Sequence, residues 1–280
     1  MTSRPHLTSE IQEGLERIAG TLGVEYDSSW TDEFLEEYQE NYEANAESYP
    51  NLEHIDSQRF HQYKNESQSW KTWNDAERSS LFVLAGKDHP KGPGHGWLSP
   101  IATNLIKENT SADTPGLSAF HAFGSGLPLD DPPPHDCILH ILVQLFESKH
   151  AVLRLEQLHD DFSEILKVSE KYAAEMKGGD AATPHGWKIL EKTALRFLNI
   201  IGQGFKTYIV LSSAELGKSE YGLWLAALLN VALKAEVTVK VLVIAQQNNW
   251  PELKVRVQEL KYQIFKDLAI VEELAQRQLA

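Results

Sequence analysis

Four short apolar runs constrain this chain most: Ser80–Ala85, Leu117–Phe123, Thr207–Ser212 and Val237–Ala245. Each is too short for an ordinary helix, is rich in branched and aromatic residues, and is bounded by glycine or polar residues. Such runs read as strands buried on both faces. Between them lie segments with helical periodicity. Ser99 and Pro100 open one that continues to Ile106, because serine caps and proline at the first helical position gives up only an unpaired N–H. Others cover Cys137–Glu147, Val152–Met176, Trp187–Ile201 and Gly222–Leu233. Strands alternating with helices argue for an α/β fold, a mainly parallel sheet with helices on both faces. Ligands in such sheets sit beyond the carboxyl ends of the strands. Here those ends are Gly86, Phe123, Ser212 and Ala245.

The runs divide the chain into three stretches. Residues 1–78 form an acidic, peripheral helical segment. A first helix carries Ile11, Leu15, Ile18 and Leu22 on one face, and a second, over about 31–45, carries Phe34, Leu35, Tyr38 and Tyr42. Residues 79–250 form the α/β core. Residues 251–280 read as one long helix, with Leu253, Val257, Leu260, Ile264, Leu268, Val271 and Leu274 as its stripe. That helix either docks on the core or pairs with a second copy of the chain.

Charge narrows the classes of function. The net charge is −14, and residues 1–80 hold 17 acids against 6 bases. A chain this acidic repels a phosphate backbone, which argues against general nucleic-acid binding. The acidic residues of 31–45 read as a solvated face, with a docking surface for a basic partner as the sharper alternative. The single cysteine, Cys137, rules out an intrachain disulfide. No secretory leader stands at the start, and no run approaches the ~18 apolar residues of a membrane span. The expected setting is cytoplasmic or nuclear, away from membranes.

Several segments then carry a resemblance. Trp70 and Trp73, the stretch Ser79–Gly86 and the stretch Gly96–Pro100 look like the opening of a fungal NACHT/STAND-like P-loop NTPase domain. Ala119–Phe123, Ile138–Phe146, Tyr208–Ser212 and Val239–Ala245 follow in that family's order. The similarity spans roughly residues 70–250. It implies a P-loop NTPase-like fold, with the phosphate loop at Gly86, Lys87, Lys91, Gly94 and Gly96.

The departures from the family pattern bear on function. An active loop needs glycine, four residues, then Gly-Lys-Ser/Thr, so that backbone N–H groups, an ammonium and a hydroxyl hold the phosphates and Mg²⁺. The loop from Gly86 to Gly96 has two lysines but no such triplet at the helix entry. Pro90 and Pro93 remove two backbone donors. The third strand of an active member ends in a carboxylate that helps hold the metal. Here Ser212 takes that place, and Glu215 stands three residues on. Phosphoryl transfer rests almost wholly on charge placed by those groups. The resemblance therefore implies a non-hydrolysing pseudo-NTPase, a binding or regulatory module with no required cofactor. Larger members set such a domain between an effector region and C-terminal repeats. No repeat is visible up to Ala280, so a complete receptor of that kind is not expected.

Other chemistry has weaker marks. Lys87, Lys91, His89 and His95 could attract an anion beside a helix start, so a nucleotide held without turnover stays open; the bland alternative is a solvated basic loop. His135, Cys137 and His140 are close in sequence, but no second cysteine or His-Glu-x-x-His pattern supports zinc. Cys137 reads as core, without an activating partner visible in sequence, and His121 as a buried, hydrogen-bonded residue. The alternative function is an enzyme of specialised metabolism that has repurposed the crevice. Its candidates are His95, Ser99, His121, Ser212 and Glu215, which must converge in one pocket.

Overall fold

A computed structural model describes residues 9–26, 57–86, 104–106, 108, 109, 116–123, 133–152, 155–213, 219–246, 255 and 269–274. Its elements in chain order are α1 (Ser9–Leu22), α2 (Ser57–Glu66), α3 (Gln68–Asp75), β1 (Ser80–Gly86), β2 (Gly116–Phe123), α4 (Pro134–Val152), α5 (Leu155–Met176), α6 (Pro184–Ile201), β3 (Lys206–Ser213), α7 (Ser219–Lys234), β4 (Val239–Gln246) and β5 (Ala269–Leu274). Residues 104–106, 108 and 109 are also helical.

The strands form one five-stranded sheet in the order β2-β3-β4-β1-β5, with every neighbouring pair parallel. Strand alternation divides its side chains between two layers. Leu81, Val83, Leu117, Ala119, Ile209, Leu211, Val239, Val241 and Val243 face the layer built from α1 and α4–α7. Phe82, Leu84, Phe120, Tyr208, Val210, Leu242 and Ile244 face Trp70 and Trp73 of α3 with Leu105 and Ile106. Near-continuous apolar strands are what a sheet covered on both sides demands.

Local chemistry sets the ends of the helices. Ser67 caps α3, its Oγ accepting from the Trp70 N–H at 3.0 Å. Thr183 caps α6 by accepting from the Gly186 N–H at 3.1 Å, with Pro184 at the first position. After α1, Gly23 takes φ +80°, and the Val24 N–H reaches back to the Ala19 carbonyl at 3.0 Å. A left-handed residue there closes the helix at little cost only if it is glycine.

The edge strand β2 is closed by side chains rather than by another strand. The Ser118 N–H donates to Ser148 Oγ at 3.1 Å and the Phe120 N–H to Gln144 Oε1 at 2.9 Å. Gln144 and Ser148 are four residues apart on α4, so one helix face satisfies two alternate edge donors.

Two expectations change. Residues 269–274 are a strand paired with β1, not part of a continuous helix, although Val255 upstream is helical. The three-residue spacing of Leu268, Val271 and Leu274 imitates a helix stripe. The sheet overrides it, because pairing with β1 gives the backbone groups of this segment ladder partners. The helix proposed for self-association thereby loses Val271 and Leu274. The N-terminal segment is also not peripheral where it is described: Leu15, Ile18 and Trp73 are at most 1% exposed and belong to the core. The second acidic helix, over 31–45, lies outside the described residues.

Candidate functional site

Strand order identifies where a ligand would sit. The β1-to-β2 connection crosses β4 and β3 in one direction, whereas the β4-to-β5 connection crosses β1 in the other. The order reverses between β1 and β4, and a crevice opens outside the carboxyl ends of strands at such a point. Those ends are Gly86 and Gln246, which are register partners. The glycine- and lysine-containing loop begins at Gly86, at this switch point. Lys87, Lys91, Gly94, His95, Gly96 and Ser99 of that loop lie outside the described residues, as does Glu215.

Two of the catalytic candidates fall on described strands. His121 pairs with Leu211 across β2 and β3, while Ser212 pairs with Ala122. The two positions alternate in the pleat and so belong to opposite faces of the sheet. His121 shares its face with Ala119 and Leu211, towards α4, and is 5% exposed. The register therefore places His121 and Ser212 on different faces of the sheet.

His121 instead meets Cys137. Cys137 Sγ lies 3.6 Å from His121 Nε2, with the donor set by the imidazole tautomer. Cys137 sits in the first turn of α4, its N–H donating to the Pro133 carbonyl at 3.3 Å. A thiol beside an imidazole at a helix start is the setting that lowers a thiol's pKa when solvent and substrate can reach it. Cys137 is fully buried, so the pair works as a polar contact between β2 and α4. Sequence reading missed this partner because 16 residues separate the two and only the β2–α4 packing joins them.

Nearby, His135 Nε2 lies 2.9 Å from Asp136 Oδ1. Burial holds the His140 imidazole below its ordinary pKa, against the opposing pull of Asp136 and Glu25. Among the described residues, no group of three or more histidine, cysteine, aspartate or glutamate side chains is placed to hold a metal ion.

The opposite end of the sheet carries a buried cation. Lys240, at the start of β4, is fully buried. Its Nζ donates to the carbonyls of Trp73 at 2.8 Å, Ala76 at 2.5 Å and Arg78 at 3.2 Å, and to Ser80 Oγ at 3.1 Å. These are the orphan acceptors that a helix C-terminus and the following turn leave behind. Around them Trp70, Trp73, Phe82 and Tyr208 stack edge-on or tilted, with centroids 5.1–6.1 Å apart. The Trp70 and Trp73 pair thus clamps α3 beneath β1 and β3, away from the crevice.

No helix among the described residues is long and apolar enough to cross a membrane. Comparisons with protein-family models, with curated proteins and with solved structures give no match.

Proposed function

We propose that this chain is a non-hydrolysing, P-loop-like binding or regulatory module of the NACHT/STAND kind. The observation that carries the reading is the place of Gly86. The strand that opens the glycine-containing loop is interior, and its carboxyl end stands at the switch point beside β4. In such a domain the loop after β1 would face the phosphates, and the end of β3 would face the metal.

What the sequence puts at those two places argues against turnover. The loop from Gly86 to Gly96 holds no Gly-Lys-Ser/Thr triplet, and Ser212 stands where β3 would offer a carboxylate. Without ammonium and metal, charge developing on a transferring phosphoryl group has no stabilising partner. The scaffold then serves recognition: a ligand held without chemistry, or a protein partner met at the crevice. The alternative enzyme reading would have to draw on His95, Ser99 and Glu215, since the positions of His121 and Ser212 fall on opposite faces of the sheet.

Isothermal titration with ATP and GTP, with and without Mg²⁺, and a parallel assay of phosphate release test the reading. Nucleotide binding that is absent or indifferent to Mg²⁺, with no phosphate release, is the expected result. Mg²⁺-dependent phosphate release would overturn it.

A further inference from the structure

The contact between α4 and α5 contains a histidine that the proposed function does not use. His150, near the end of α4, is 6% exposed. Neither of its ring nitrogens has a hydrogen-bond partner among the described residues. Its ring meets Phe146 with centroids 4.5 Å apart and Phe162 of α5 at 6.5 Å. Phe162 in turn fills the space over Gly14 of α1, where an added Cβ would lie 2.3 Å from the ring. The imidazole is thus one wall of an apolar joint that connects α4, α5 and α1.

The charges around it are already committed. Among the described residues, the charged groups that act on His150 are Lys149 on its own helix and Asp161 on α5. Lys149 is 3% exposed; its Nζ contacts Asp161 Oδ2 at 2.6 Å and donates to the Ile200 carbonyl at the end of α6 at 3.0 Å. A proton on His150 would create a second cation beside this ammonium, in competition with Lys149 for the carboxylate of Asp161. Burial is the main cause that lowers the His150 pKa to about 4, with Asp161 opposing and Lys149 adding to it.

We propose that this joint is an acid-sensitive latch: protonation of His150 breaks the α4–α5 contact and releases α5 from the helix layer. The helix that would leave is an outer one, packed on α1 and α6. A charged imidazole cannot stay between Phe146 and Phe162 without a partner. It gains water only if α5 moves, and that movement also frees Asp161 from Lys149.

The direction follows from linkage. The folded-state pKa is about 4, below the ordinary 6.5, so the opened state binds more protons between those values. Closure is strongest above pH 6.5 and is lost as the pH falls towards 4. From pH 7 to pH 5, the opened population grows about 25-fold by that relation.

Hydrogen exchange on the whole chain tests the latch, at pH 7 and pH 5, with rates corrected for the intrinsic chemistry of exchange. In the wild type, amides of 160–176 are expected to lose about 25-fold in protection, while those of β3 lose far less. In His150→Leu, or in His150→Gln should the first variant not fold, the pH-dependent loss from α5 disappears. The proposal is overturned if wild-type α5 keeps its protection at pH 5. It is also overturned if β3 loses as much as α5, or if a folded variant shows the wild-type loss.

Discussion

Replacing Lys240 by methionine removes the ammonium while filling most of its volume. Two effects compete. The carbonyls of Trp73, Ala76 and Arg78 lose a donor. Trp73 keeps the Ser80 hydroxyl at 3.3 Å, and Arg78 is an exposed residue open to water. The main loss is then at Ala76, with smaller ones at the other two, at about 1–3 kcal/mol for each acceptor left unsatisfied. Against this, burial, with Lys206 adding and Asp75 opposing, lowers the amine to about 8 from 10.5. That gap corresponds to roughly 3 kcal/mol of strain on the charged form at neutral pH. The expected net cost of Lys240→Met at pH 7 is therefore modest, about 1–3 kcal/mol. The pH dependence is more telling. The unfolded chain binds more protons between pH 8 and 10.5, so wild-type stability rises with pH in that window relative to the variant. By pH 9.5 the difference should have grown by about 2 kcal/mol. Urea unfolding of both proteins at pH 7 and pH 9.5, followed by tryptophan fluorescence, reads this directly. A variant as stable as the wild type at both values, or a difference that shrinks with pH, would show that the Lys240 ammonium is not the strained cap of these carbonyls.

Other substitutions probe separate parts of the fold. Ser148→Ala leaves the buried Ser118 N–H without its acceptor, and urea unfolding should show a loss of about 1–3 kcal/mol. Gly186→Ala would place a Cβ 2.7 Å from backbone atoms of Ala181 and Asp180. The cap turn must shift, and the thermal midpoint should fall by about 2–6 °C despite alanine's better helix propensity. Cys137 is sealed against His121, so an aromatic disulfide reagent should label it at least ~100-fold more slowly in native buffer than in urea. Equal rates in the two conditions would show that the thiol is accessible.

The sequence discloses the layers of this fold better than its contacts. Leu81–Leu84, Ile209–Leu211 and Val241–Ile244 are apolar because they are buried on both sides, and that pattern is local. All four expected strands are present, within about two residues of where the pattern puts them. β5 escapes because Glu272 and Glu273 interrupt its apolar character and the flanking leucines fall at helical spacing. Lys240 interrupts another strand without any local mark that its amine ends among three carbonyls, because those acceptors arrive from more than 160 residues away. The Cys137–His121 contact is likewise tertiary. The candidate crevice is legible only in part: glycine and proline mark the loop after β1, but the reversal of strand order at Gly86 depends on how β4 and β5 insert around β1. His121 and Ser212 look alike as strand-end candidates in sequence, and only the register separates their faces.

On the proposed function, a triphosphate held beyond Gly86 is not activated. Single-turnover hydrolysis of γ-labelled ATP, with protein in excess over nucleotide and saturating Mg²⁺, tests it without any need for product release. Labelled phosphate that accumulates no faster than in a protein-free control is the expected result. A burst on the order of 1 s⁻¹, within the usual range of enzyme turnover, which vanishes when Mg²⁺ is chelated, would contradict it.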